Sequence, residues 1–217
     1  EFIKTKLAGK DPLHVTTHYS LTGNIESTFV LDAFALPSGE QTLNIKPARF
    51  VATGDKELKH FVVDGAWEGM AVNGMGSVDT VSLKGDMTME SIYLGTGNAS
   101  MAFKGIKVED PEEPFALTNL VINYGINHDK PANKLSAAVE YKADNLSVGD
   151  KKVEKALIRM AMNGVNATAY EELRRVYMNA FNKVLTSTGG NMQDPEQLEK
   201  AFEQQIGQIG MQLMGPA

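Results

Sequence analysis

A chain of 217 residues with a net charge of −6 and no cysteine excludes a disulfide scaffold, a zinc ribbon and a thiol nucleophile. Its 42% hydrophobic and 22% charged content suits an ordered globular protein that can bury a core without staples. The diffuse acidic charge argues against DNA or an anionic membrane as partner, and no apolar run reaches the ~18 residues of a membrane span.

In chain order, a two-residue rhythm comes first. Val15, Tyr19 and Leu21 alternate with polar residues, as do Ile25, Phe29, Leu31, Ala33 and Ala35. Further strand-like text covers Leu58 to Val63, Val81 with Leu83, Met87 with Met89, Met101 with Phe103, and Leu120 with Ile122 and Tyr124. Leu135, Ala137, Val139, Tyr141 and Ala143 then alternate, followed by Ala156, Ile158, Met160 and Met162. Such alternation buries one face of a strand and wets the other. Turn signals separate these runs at Gly23-Asn24, Ser38-Gly39, Gly54-Asp55, Asp64-Gly65, Asn73-Gly74, Gly85-Asp86, Gly97-Asn98, His128 to Pro131 and Gly149-Asp150. Long strands joined by short turns favour an antiparallel meander. The apolar phase slips at Gly105, which suggests a β-bulge.

Beyond Thr168 the rhythm becomes helical. Tyr170, Leu173, Tyr177, Phe181 and Val184 form one stripe, and Thr168-x-x-Glu171 has the form of a capping box. Thr188-Gly189-Gly190 ends this helix; Asp194-Pro195 opens another that carries Leu198, Phe202, Ile206, Ile209 and Leu213. The expected class is therefore α+β. A long bent antiparallel sheet spans about residues 13–163, and two antiparallel helices follow at about 168–187 and 195–214. The expected division is a β-sheet region, 1–163, and a two-helix region, 164–217, packed on it as a single domain.

Chemistry-bearing motifs are weak. His14 and His18 would share a helical face, but on a strand they lie about 13 Å apart, too far to share an ion. His60 and His128 stand alone in the sequence. The acidic run Glu109 to Glu113 is stiffened by Pro111 and Pro114 and lacks a calcium-loop pattern. Gly95-x-Gly97 precedes a strand rather than the helix a phosphate loop needs. No nucleophile has a visible base. Lys151-Lys152-x-x-Lys155 and Arg174-Arg175 are diluted by neighbouring glutamates and read as solvated faces. The eleven methionines read as core filling or as the lining of an adaptable apolar groove. No catalytic, metal or cofactor site is expected.

From Tyr93 onward, "YLGTGNASMAFKGIKVED", "LTNLVINYGINHD", "LSAAVEYKADNLSVGDKKVEKALIRM" and "NATAYEELRRVYMNAF" follow in order, preceded by "THYSLTGNIESTFVLDAF" and "LKHFVVDGAWEGM". This succession resembles the YdgA-like bacterial proteins, a family of unknown function whose motifs are structural rather than catalytic. The resemblance implies a periplasmic domain tethered to the inner membrane through a segment outside this chain, which would be a middle section of a longer protein.

Two functions stand open at this point. One is a non-enzymatic cell-envelope domain acting through protein contacts, either with an envelope partner or with its own copies along exposed edges. The other is binding or sensing of lipid or another apolar ligand between sheet and helices, with Tyr177, Phe181, Phe202, Ile206 and Ile209 as the groove.

Overall fold

The computed structural model describes residues 11–38 and 41–187. Its strands are β1 Leu13–Tyr19, β2 Ile25–Leu31, β3 Phe34–Ser38, β4 Gln41–Ile45 and β5 Ala48–Gly54. Next come β6 His60–Trp67, β7 Met70–Val72, β8 Gly76–Val78 and β9 Thr80–Met89. The longest follow: β10 Gly95–Val108, β11 Phe115–Asp129, β12 Lys134–Val148 and β13 Lys151–Asn166, then one helix, α1, at Ala167–Ser187. Contacts divide the chain into two units, one of residues 11–128 with 136–163, the other of 129–135 with 164–187.

The expected α+β class is corrected. The thirteen strands form one antiparallel sheet, and α1 is the only helix among the described residues, so the chain is mostly β. The second expected helix, 195–214, lies outside the described residues. Alternating text runs unbroken to Asn166, and its strands outweigh the single helical stripe that follows.

Several of the strands are halves of longer ones. Leu31 pairs with Ala48, and three residues on, Phe34 pairs with Ile45. Ala48 pairs with Trp67, and Ile45 with Met70. Trp67 pairs with Val81, and Met70 with Val78. Lys104 pairs with Thr80, and Lys107 with Ser77. Each step is equal on both partners, so register is never lost. Four ribbons, β2–β3, β4–β5, β6–β7 and β8–β9, are therefore continuous strands interrupted along one line. That line passes through Asp32-Ala33, Lys46-Pro47, Glu68-Gly69 and Asp79, and reaches β10 at Gly105. Backbone bonds stitch it: Lys46 N–H to Gly69 C=O at 2.9 Å, Glu68 N–H to Pro47 C=O at 2.8 Å, and Asp79 N–H to Lys104 C=O at 3.0 Å.

Gly105 does not open a bulge. Lys104 faces Asn119 and Ile106 faces Leu117, one residue on each strand between them, so nothing is inserted. The phase slip belongs instead to the crease. Apolar positions change parity there on every ribbon: Phe29 and Leu31 give way to Phe34 and Leu36, Leu43 and Ile45 to Ala48 and Phe50, Phe61 and Val63 to Met70 and Val72. Residues three apart on a simple pleat would point to opposite faces. The interruption is carried by backbone conformation, with φ of +99° at Gly69, +60° at Gly105 and +52° at Asn145 of β12.

Three expected turns also fall inside strands, at Gly65 in β6, Gly85 in β9 and Gly97 in β10. The ring of its cross-strand partner Phe50 covers Gly65, occupying the space a side chain would need. A glycine under an aromatic ring reads as a turn signal until the partner strand is known.

The second unit starts where β13 ends. Asn166 Oδ1 accepts the Ala169 N–H at 2.9 Å, so Asn166 caps α1 in place of the expected Thr168. Thr168 Oγ1 instead accepts from Asn133 Nδ2 at 3.1 Å, and Ala167 N–H donates to the Asn133 carbonyl at 3.0 Å. Leu135 and Ala167, each 2% exposed, are the buried apolar residues of this unit.

Two stability predictions follow from this geometry. A Cβ on Gly69 would strike the Val78 carbonyl oxygen, whereas one on Gly74, at φ +73°, meets nothing. Gly69→Ala is expected to cost more than about 2 kcal/mol and Gly74→Ala about 1 kcal/mol in urea unfolding, since only the first adds a backbone clash to the left-handed strain. Leu135→Ala should cost about 2–5 kcal/mol and Leu173→Ala, half exposed on α1, under about 1 kcal/mol by the same measurement.

Candidate functional site

Within the first unit, cross-strand pairing assembles four apolar rows. One runs Leu31, Ala48, Trp67, Val81, Phe103 and Leu120. The next runs Phe29, Phe50, Gly65, Leu83, Met101 and Ile122, and a third Ser27, Ala52, Val63, Gly85, Ala99 and Tyr124. A fourth joins Ile25, Gly54, Phe61, Met87, Gly97 and Ile126. Residues directly opposite across a ladder share a face. These rows thus make one broad apolar face. Of their large side chains none is fully buried, and Phe29 is 39% exposed. On β1 exposure rises further, to 76% at Tyr19.

In the third row the side chains shrink. Gly85 and Ala99 lie between Val63 and Tyr124, and a hollow of about 470 Å³ beside them is bounded mostly by the intervening residues Asp64, Lys84, Asp86, Asn98, Ser100 and Asn123. Val63 Cγ1 is the nearest atom to the missing side chain of Gly85.

The intervening positions form a polar face. Ser100 Oγ donates to Asn123 Oδ1 at 2.8 Å, and Asn123 Nδ2 donates to Glu140 Oε1 at 3.3 Å. Lys142 Nζ lies 2.7 Å from the same Glu140 oxygen. Asn119 Nδ2 donates to Asp144 Oδ2 at 3.0 Å. Four residues on along β11 is four residues back along β12 in these bonds, so they share one register. The hydrogen bond from Lys142, and then that from Asn123, holds the Glu140 carboxyl below the usual carboxylate range.

The histidines do not stand alone. His14 Nε2 lies 2.8 Å from Asp32 Oδ2, and His60 Nε2 2.8 Å from Asp86 Oδ1. His128 Nδ1 lies 2.8 Å from Glu90 Oε2, while Thr96 Oγ1 donates to Glu90 Oε1 at 3.3 Å. This last pair is largely enclosed, and His128 Nε2 is buried with no hydrogen-bond partner. It ties the β9–β10 turn to β11. His14 and His18 sit on exposed β1. In the acidic run, Asp110 Oδ1 accepts the N–H groups of Glu112 at 2.8 Å and Glu113 at 3.0 Å. First the Glu113 bond and then the Glu112 bond lowers its pKa. No cluster of three or more metal-ligating side chains occurs among the described residues.

Of the expected groove residues, Tyr177 is 47% exposed on α1 and Phe181 is half-buried. Phe202, Ile206 and Ile209 lie outside the described residues. Sequence reasoning missed β13 as a surface. This 16-residue strand pairs with β12 alone among the described strands, and Leu157, Ile158 and Met160 are 62%, 60% and 55% exposed. The signal was present, since apolar residues occupy both parities of β13 between Ala156 and Met162. No helix among the described residues is long and apolar enough to cross a membrane.

Membership of a family is settled by sequence comparison. A bacterial family of unknown function, DUF945, matches residues 1–214. The chain belongs to that family. No curated protein and no solved structure matches it.

The Glu140 network has a consequence for acid stability. A carboxyl whose folded value is depressed contributes stability above its unfolded value and loses it as pH falls through the folded one. Unfolding free energies measured between about pH 6 and pH 2 are expected to fall less steeply in Glu140→Gln than in the parent.

Proposed function

We propose that this chain is a non-enzymatic cell-envelope domain that acts through protein contacts. The observation that carries the reading is the outer edge of β13, which no other strand among the described residues pairs with. A long edge strand with exposed apolar side chains is a template for pairing with another chain, and natural sheets avoid leaving one bare unless something binds it. The YdgA-like resemblance supports a periplasmic place tethered to the inner membrane, where partner or sibling domains are available.

A second reading, binding of lipid or another apolar ligand, is favoured by the broad apolar face of the first unit, on which no large side chain of the four rows is fully buried. A half-exposed face of this kind suits an acyl chain better than a compact polar metabolite.

One experiment separates the two. A photoreactive phenylalanine is placed at Ile158, at Tyr124, or at Thr28 as a control, and irradiated in intact bacteria. A protein adduct at Ile158 and not at Thr28 is expected. A lipid-sized adduct at Tyr124, with none at Ile158, would replace the first reading with the second.

A further inference from the structure

We propose that the outer edge of β13 receives an extended, acidic segment of a partner protein, added as an antiparallel strand. This rests on the protein-contact reading and names the chemistry of the partner. Lys151, Lys152, Lys155 and Arg159 all stand exposed on β13 against the single acidic Glu154, in a chain whose net charge is −6. None of the three lysines has an ion-pair partner among the described residues. Lysines on an edge repel most strands that approach it, and they select one that carries carboxylates.

The charge also excludes the nearest alternatives. A second β13 added antiparallel would set its second half, which has no carboxylate, against the three lysines, and β1 of a second copy, Leu13–Tyr19, carries none either. The acidic run 109–114 has the charge, but its two prolines cannot donate to a ladder. The three lysines sit at the start of β13, and Ala156, Ile158, Met160 and Met162 alternate after them. An antiparallel partner therefore has alternating apolar residues first and acidic residues at its C-terminal end. Antiparallel addition continues the pairing seen between neighbouring strands throughout this sheet and is the slightly more stable ladder.

Labelled peptides of about twelve residues test this on the whole chain by fluorescence anisotropy. One alternates valine and threonine and ends in three glutamates, a second ends in three lysines, and a third begins with the glutamates. The first is expected to bind at least about tenfold more tightly than either other, with affinity falling as salt rises. Joint substitution Lys151→Glu, Lys152→Glu and Lys155→Glu should reverse the preference toward the lysine peptide, and the three Lys→Gln changes should abolish it. Circular dichroism checks that each variant keeps its sheet. Equal binding of acidic and basic peptides, or an unchanged preference in the reversed variant, would overturn the proposal. So would concentration-dependent self-association in sedimentation that the reversal abolishes, because the edge would then belong to a second copy. In that case the protein adduct at Ile158 would survive, and only the acidic partner would be lost.

Discussion

Continuity of the backbone ladder across the crease is the constraint on which the rest of this structure depends. Four ribbons break at Asp32-Ala33, Lys46-Pro47, Glu68-Gly69 and Asp79, yet each resumes pairing in step with its neighbour. A slip of one residue on any of them would turn an entire ribbon's apolar set to the wrong face. The residues at the break suit it. Pro47 has no N–H to leave unpaired, Gly69 and Gly105 take positive φ, and the Asp79 side chain fills the space above Gly105. The Trp67 indole N–H donates to the Lys46 carbonyl at 3.0 Å, fastening the line from a side chain as well.

From that register the functional surfaces follow. Rows of opposed apolar side chains exist only because partners stay level over six ribbons. The same pairing puts Ser100, Asn123 and Glu140 in hydrogen-bonding reach across three strands. A sheet is normally one layer of two. Here the first unit leaves a broad apolar face half exposed and ends at a strand that pairs on one side only among the described residues, two features that both invite a partner.

Individual residues show where sequence reasoning held and where it went astray. Turns at Gly23-Asn24, Asn73-Gly74 and Gly149-Asp150 were legible because φ is positive at Gly23, Gly74 and Gly149 and the surrounding alternation stops. Gly65 looked identical in one dimension, but its role is to make room for Phe50 on another strand. His60 and His128 gave no local hint of Asp86 and Glu90, which lie 26 and 38 residues away along the chain. At Gly105 the phase slip was visible, but alone it resembles a bulge. Only the coincident slips on neighbouring ribbons identify a crease.

By itself the sequence determined the meander, the start of the helix near residue 167 and the lack of a thiol. These are properties of neighbours in the chain, where periodicity, turn chemistry and capping act over a few residues. Tertiary structure decided the rest: that separate short strands are halves of creased ribbons, that Asn166 rather than Thr168 caps the helix, and that three histidines have carboxylates. It also decided that β13 is an edge among the described strands. An edge is defined by which strand lies beside it, and that depends on pairings between distant residues that no local pattern encodes.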